Sequence, residues 1–99
     1  MHAVEKSVKK YNILNISFDF IDPENIIDRE TLEGCIYEPS TTTLLKNIFL
    51  KNPHLSFIDV GAHYGYFSCF ISKLSPTTKI FAFEPGSKQL DVLYKNINI

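Results

Sequence analysis

The stretch FIDVGAHYGYF, residues 57–67, places one acid and two glycines directly after a short apolar run. Gly61 has no side chain, so the backbone can turn sharply there and come into contact with a ligand. Gly65 allows the next element to begin close against the preceding one. Asp59 is an acceptor that can bind a cationic amine or orient the loop through its amides. This pattern is typical of the loop that follows a parallel strand and lines a ligand crevice.

A second acid, Glu84, ends the next apolar run, KIFAF, and lies 19 positions after Gly65. The carboxyl ends of neighbouring parallel strands meet at one edge of a sheet, so Glu84 would lie beside the glycine loop. An acid at that strand tip can accept both hydroxyl groups of a ribose. Together, the loop and Glu84 predict a site for a ligand that contains a nucleoside.

The residues absent from this loop narrow the choice of nucleoside ligand. A dinucleotide fingerprint beginning at Gly61 needs glycine at two later positions, which are occupied by His63 and Tyr66. An imidazole at the middle position disfavours a pyrophosphate lying on the backbone. The loop has no lysine or arginine, and the chain has no GxxxxGK[ST] phosphate-binding motif. We therefore expect S-adenosylmethionine, an adenosine joined to a sulfonium amino acid without phosphate, as the cofactor.

Hydrophobic periodicity predicts the elements that must position these residues. Residues 57–60 form a short apolar strand of the kind that is buried on both faces, and residues 66–74 have helical spacing. A second strand covers 79–83, and Ser87 is placed to cap a last helix. The buried face of that helix is predicted to contain Leu90, Leu93, Tyr94 and Ile97. This order with short connections predicts an α/β fold, the beginning of a Rossmann-like doubly wound sheet.

The preceding half of the chain carries weaker signals. Residues 1–33 are predicted to be a lead-in segment with one strand at 13–20, whose side chains alternate between apolar and polar. One or two helical turns follow at 28–33, and Gly34 would stop them. A longer helix is predicted after Pro39, with an apolar face of Leu44, Leu45, Ile48 and Phe49.

Three segments carry a resemblance to a known family. FIDVGAHYGYFSCFISKL followed by KIFAFEPGSKQLDVLYKNI resembles the cofactor-binding part of an FkbM-type methyltransferase. The similarity lies in that family's D-V-G-A-N-x-G-x-x-[ST] loop and its A-F-E-P strand end. YEPSTTTLLKNIF, just upstream, resembles the family's lead-in helix with its Tyr-Glu pair. The match covers about residues 34–99, which would form a partial S-adenosylmethionine-binding domain.

The resemblance implies a set of cofactor-binding residues and an activity. By this resemblance, Glu84 would hold the ribose of the cofactor. Glu38 would lie over the polar end of the cofactor, and the glycine loop would shape the pocket for its methionine part. His63 stands where the family has asparagine, and its imidazole can still donate one hydrogen bond. The implied cofactor-binding residues are Glu38, Asp59, Gly61, His63, Gly65 and Glu84. The complete enzyme would transfer a methyl group to an oxygen of a small-molecule or glycan acceptor.

The resemblance also implies a sheet of seven strands, of which this sequence supplies the two crossover strands and one N-terminal candidate. The residues that orient the acceptor and take its proton lie on later strands in such enzymes, so no catalytic residue and no metal ligand is assigned here. We therefore expect an N-terminal, cofactor-binding piece of a larger enzyme. These 99 residues alone are expected to lack methyl-transfer activity.

Two other functions also fit the sequence. One is a nicotinamide-dependent dehydrogenase, which would bind a dinucleotide, and the other is a non-catalytic structural or interaction module that keeps the loop. The net charge of −1 predicts no attraction to nucleic acid or to an anionic membrane. Cys35 and Cys69 stand outside any CxxC pair, which is typical of a cytoplasmic chain with reduced thiols.

Overall fold

Residues 8–32 and 36–99 are the parts of the chain that the computed structural model describes, and they form a mixed α/β fold. Its strands pair in two separate two-stranded sheets. The predicted stop at Gly34 and the thiol of Cys35 lie outside the described residues. The elements are β1 (Lys9–Ile13), β2 (Ile16–Phe20), α1 (Ile26–Leu32), α2 (Pro39–Lys51), β3 (Phe57–Val60), α3 (Tyr66–Leu74), β4 (Ile80–Phe83) and α4 (Ser87–Ile97).

An antiparallel hairpin, β1–β2, replaces the single predicted strand at 13–20. Leu14 and Asn15 both have positive φ, 49° and 67°, and form the two-residue turn. Positive φ at both central residues matches the twist of a hairpin and allows a tight reversal. The prediction was wrong at this end because a leucine rarely adopts this conformation, so the alternating pattern hid the turn. Phe18 and Phe20 are buried, as the alternation predicted.

The parallel crossover unit is confirmed. β3 pairs with β4 in parallel, with Asp59 opposite Ala82, and α3 connects the two strands. The short apolar runs and the helical spacing between them were sufficient to predict this unit, because the elements are contiguous in the chain. At the carboxyl edge of this sheet, β3 leads into the glycine loop and β4 leads into Glu84.

Helix α3 lies at the centre of the core, between the hairpin on one side and the parallel sheet on the other. Phe70 and Ile71 are completely buried. The Phe18 ring of the hairpin packs edge-on against Tyr66 and Phe70, with ring centroids 6.0 Å and 6.3 Å apart. Such edge-to-face pairs add stability beyond the apolar area that they bury. The core therefore fixes the start of α3, where the glycine loop ends.

One face of the parallel sheet is not covered by the described residues. Ile58 and Val60 are 63% and 80% exposed, and Phe81 and Phe83 are 50% and 57% exposed. The prediction that 57–60 is buried on both faces was therefore wrong for this structure. Its apolar composition is that of a strand with two covered faces, but only α3 and its neighbours pack on the sheet, on the side of Asp59.

The other helices differ from the predicted faces in detail. In α4, Leu93 is buried as predicted, but Tyr94 and Ile97 are more than half exposed and Asn96 is buried instead. Ser87 is the first helical residue, and the N-cap is Gly86, without a side-chain cap. In α2, Phe49 is buried while Leu44 is exposed. A helix reveals its apolar residues in sequence, but its neighbours decide which of them are covered. None of the described helices is long and apolar enough to cross a membrane.

Candidate functional site

The loop between β3 and α3 has a backbone that mostly requires glycine. Gly61, His63 and Gly65 all have positive φ, at 77°, 56° and 93°. The amides of Gly61 and Ala62 both donate to the carbonyl oxygen of Phe83, at 2.8 Å and 3.0 Å. These bonds tie the loop to the end of β4. The structure therefore brings the glycine loop and the second strand tip together, as the sequence predicted.

Glu84 is bound directly to this loop. Its Oε1 accepts a hydrogen bond from the His63 amide at 2.8 Å, and its Oε2 accepts one from the Gly86 amide at 2.9 Å. These two amide bonds, the Gly86 bond first, lower the pKa of Glu84 below its ordinary value of 4.5. Glu84 is therefore an ionised acceptor at the crevice between the two strand ends.

Asp59 lies on the other side of the loop, facing α3. It is only 9% exposed, and its Oδ2 accepts a hydrogen bond from the Ser68 hydroxyl at 2.9 Å. Burial raises the pKa of Asp59 above its ordinary value, the Ser68 bond lowers it, and the charge of Glu84 raises it further. Asp59 therefore orients the start of α3 and does not line the cavity beside the loop.

Ser68 is a site residue to which the sequence analysis gave no role. It occupies the [ST] position of the loop motif, nine residues after Asp59, and is 2% exposed. The motif itself carried the signal, since a hydroxyl on the first turns of a helix can donate to an acid at the end of the preceding strand.

His63 and Glu38 lie at the rim of the site. The His63 ring centroid is 4.0 Å from that of Tyr64, and its Nε2 is 4.0 Å from Oε2 of Glu24. Glu38 precedes α2 with a positive φ of 47° and an exposed side chain. Burial raises the pKa of the neighbouring Tyr37, and the charge of Glu38 raises it further. Contact of either residue with a cofactor stays a prediction.

A small cavity of about 70 Å³ opens beside the loop. It lies among the end of β2, the start of α1, the glycine loop and the start of α3. Of the six predicted site residues, Gly61 and His63 line it. Its lining residues are Phe20, Asp22, Ile26, Ile27, Tyr37, Gly61, Ala62, His63, Tyr64, Tyr66 and Phe67.

A larger cavity, of about 270 Å³, lies elsewhere, among α3, β4 and α4, and none of the six predicted site residues lines it. Cys69 lines it and is 8% exposed. Burial, with a smaller contribution from Asp59, raises the pKa of this thiol to about 12. A protonated thiol is a poor nucleophile and a poor metal ligand, so Cys69 has no evident chemistry there. Among the described residues, no group of three or more His, Cys, Asp or Glu is placed to hold a metal ion.

The two acids are expected to titrate in opposite directions from their ordinary values. The pKa of Asp59 should lie above 3.8 and that of Glu84 below 4.5. Asp59 then contributes stability that is greatest below 3.8 and is lost as the pH rises through its raised pKa. Glu84 contributes stability that is present above 4.5 and is lost as the pH falls through its lowered pKa. Carbon-detected NMR titration of the two carboxyl groups measures both values.

The variant Ser68→Ala is the control for this titration. It removes the hydroxyl that favours the ionised form of Asp59, so the pKa of Asp59 should rise further while that of Glu84 stays in place. Ordinary values for both carboxyl groups in the unaltered chain would contradict the geometry described above.

Comparisons of the chain with protein-family models, with curated proteins and with solved structures gave no match. The resemblance to FkbM-type methyltransferases is therefore a prediction from the sequence motifs.

Proposed function

We propose that this chain is the S-adenosylmethionine-binding part of a methyltransferase that resembles the FkbM type. One observation carries the proposal: the Glu84 carboxylate is hydrogen-bonded to the His63 amide, at 2.8 Å. A ribose acceptor and the glycine loop thus share one crevice at the carboxyl edge of parallel strands. Ligands of open α/β sheets bind at such edges.

Glu84 retains the capacity to bind a ribose. A carboxylate has about four lone-pair positions, and the amides of His63 and Gly86 occupy one on each oxygen. One position per oxygen is left for a pair of neighbouring hydroxyl groups. The amide bonds also hold the carboxylate in one orientation, which lowers the entropic cost of binding the diol.

The electrostatics favour a cationic cofactor over a dinucleotide. A pyrophosphate would need free loop amides, but the His63 amide already donates to Glu84. Oε2 of Glu24 lies 4.0 Å from Nε2 of His63, and no lysine or arginine lines the small cavity beside the loop. Glu24 and Glu84 would repel a pyrophosphate, whereas they would attract the sulfonium and ammonium groups of S-adenosylmethionine. For this reason a nicotinamide-dependent dehydrogenase is the weaker alternative.

The uncovered face of the parallel sheet supports a larger fold. Four apolar side chains are exposed on that face. They are Ile58, Val60, Phe81 and Phe83. A large exposed apolar patch typically marks a surface that is buried by another part of a protein. In the proposed enzyme, β3 and β4 belong to a Rossmann-like doubly wound sheet whose other strands and helices bury this face. Those elements would position a small-molecule or glycan acceptor in line with the methyl group and the sulfur, which is the main catalytic requirement of the transfer.

The test is isothermal titration calorimetry with S-adenosylmethionine, S-adenosylhomocysteine and NAD. Both methionine cofactors should bind more tightly than NAD. Glu84→Ala should weaken both by about tenfold or more, because the ribose loses a charged acceptor of two hydrogen bonds. Glu84→Gln should have a smaller effect, since its amide keeps one acceptor oxygen.

Asp91→Ala is the matched control, since it removes an exposed acid of α4 that pairs with Lys95 at 3.6 Å. It should leave both affinities unchanged. Tighter binding of NAD than of either methionine cofactor would refute the proposed function. Equal affinities in the Glu84 and Asp91 variants would remove Glu84 from the binding site.

A further inference from the structure

The small cavity beside the loop contains a buried acid, Asp22, to which no role has yet been given. Asp22 is 7% exposed and lines the cavity. Its Oδ2 accepts a hydrogen bond from the Ile27 amide at 2.8 Å, in the first turn of α1. Capping a short helix needs only an acceptor, which an asparagine, a serine or an exposed aspartate supplies equally well. A buried carboxylate is costly to desolvate, so its place in a cavity wall calls for a further explanation.

The walls around Asp22 are aromatic. The rings are those of Phe20, Tyr37, Tyr64, Tyr66 and Phe67. The Tyr66 centroid lies 4.8 Å from that of Tyr37 and 5.0 Å from that of Phe67, so these rings form one continuous surface. The face of an aromatic ring attracts cations. Neither lysine nor arginine is among the lining residues, so the wall offers no permanently charged cation to neutralise Asp22.

The size of the cavity limits its occupant. About 70 Å³ accommodates on the order of five water-sized groups, which is enough for a small onium group and too little for a nucleoside. His63 lines the cavity, and its amide donates a hydrogen bond to Glu84. The cavity and the proposed ribose acceptor are therefore both in contact with His63. In S-adenosylmethionine, a single methylene joins the ribose ring to the sulfonium.

We propose that this cavity binds a small organic cation, with Asp22 as its counter-charge and the aromatic rings as its walls. Naming that cation as the sulfonium of the cofactor rests on the proposed function. Asp22 then determines specificity, because it distinguishes the charged cofactor from its neutral thioether product. The attraction is worth more in this partly enclosed site than in water, since the local dielectric constant is lower.

The first experiment examines the cavity without the nucleoside. Trimethylsulfonium is titrated into the isotopically labelled chain, and tert-butanol, a neutral molecule of similar size, is titrated in parallel. The amide signals of Asp22, Ala62 and Tyr64 should move with the cation and much less with the alcohol. Asp22→Asn keeps an oxygen that can accept the Ile27 amide but removes the charge, and it should weaken trimethylsulfonium binding by about tenfold.

Two further variants separate charge from packing. Asp19→Asn removes an acid three positions earlier that pairs with Lys10 at 3.2 Å, outside this cavity, and it should leave trimethylsulfonium binding unchanged. Phe67→Leu keeps an apolar wall but removes a ring, so it should weaken binding of the cation and not of the alcohol. Equal shifts with the cation and the alcohol, or equal affinities in the two aspartate variants, would overturn the proposal.

The second experiment uses the two methionine cofactors. Asp22→Asn should weaken S-adenosylmethionine about tenfold and S-adenosylhomocysteine much less. Trimethylsulfonium binding without binding of either cofactor would leave the cation site intact and refute the proposed function. Binding of both cofactors with equal losses in Asp22→Asn would support the proposed function and overturn the sulfonium assignment.

Discussion

Gly65→Ala is expected to lower the free energy of unfolding by about 2–5 kcal/mol. Two effects add. Gly65 has a φ of 93°, a conformation that costs an alanine about 1–2 kcal/mol. A Cβ at this position would also lie 2.5 Å from Cδ1 of Leu93, so this buried side chain, which is 2% exposed, would have to shift. Overpacking of this kind costs about 1–3 kcal/mol. Urea unfolding followed by circular dichroism measures the change.

Gly61→Ala is the matched control in the same loop. Gly61 has a similar positive φ of 77°, but a Cβ there would meet nothing within 4 Å. Its cost should therefore be the backbone strain alone, about 1–2 kcal/mol. The difference in unfolding free energy between the two variants measures the cost of the steric contact between residue 65 and Leu93 of α4. Equal losses of stability would show that Leu93 moves aside without cost and that Gly65 serves only the turn.

Asn96→Ala is expected to lower the free energy of unfolding by about 3 kcal/mol or more. Asn96 is 4% exposed, and its amide group connects three backbone groups from distant parts of the chain. Its Oδ1 accepts from the Ile21 amide at 2.7 Å, and its Nδ2 donates to the carbonyl oxygens of Ile21 and Tyr64 at 3.0 Å and 2.8 Å. Alanine would leave the buried carbonyl of Tyr64 and the partly buried amide and carbonyl of Ile21 without these partners, and an unpaired buried group costs about 1–3 kcal/mol.

Asn98→Ala is the control for that experiment. It is the same substitution two positions later, where the Nδ2 of an exposed asparagine donates to the carbonyl oxygen of Tyr94 at 2.7 Å. Water can replace this bond, so the change should stay within about 0.5 kcal/mol. If Asn96→Ala lost no more stability than Asn98→Ala, the three hydrogen bonds of the Asn96 side chain would contribute little to the free energy of unfolding. In either case the native chain and both variants are compared by the same urea unfolding measurement.

The two predictions concern one arrangement. Gly65 lets α4 approach the loop through Leu93, and Asn96 holds the same helix against the loop through Tyr64. The Cys69 thiol, 3.8 Å from the carbonyl oxygen of Asn96, adds a weak contact. The loop conformation that presents the His63 amide to Glu84 therefore depends on a helix that begins after Glu84 in the chain. Loss of either residue is expected to disturb the candidate site as well as the stability.

The local signals of the sequence were strong in the crossover unit. Short apolar runs, helical spacing and the two glycines were enough to predict β3, α3, β4 and the loop, because each signal arises from neighbours in the chain. The proximity of Glu84 to the loop was also predictable, since parallel strands end at a common edge. The crossover unit and the location of the candidate crevice were thus predictable from residues 57–86.

Other features depended on contacts between residues far apart in sequence. Asn96 looks like an ordinary polar residue near a helix end, and only the fold brings it to Ile21, 75 positions away. Asp22 looks like a turn residue, and its burial among aromatic rings needs the hairpin, α1 and α3 together. Hydrophobic periodicity shows which face of an element is apolar. The free energy of burial, however, depends on which other elements pack against that face.

The sequence by itself determined the parallel unit, the glycine loop and the acid at the second strand tip, because propensity, spacing and chain direction are local properties. Only the tertiary structure decided that Tyr94 is exposed while Asn96 is buried. It also decided the hairpin turn at residues 14–15, where the twist of two paired strands imposes a backbone that leucine alone disfavours. In each case the deciding free energy comes from desolvation and from pairing of distant groups, which exist only once the chain has folded.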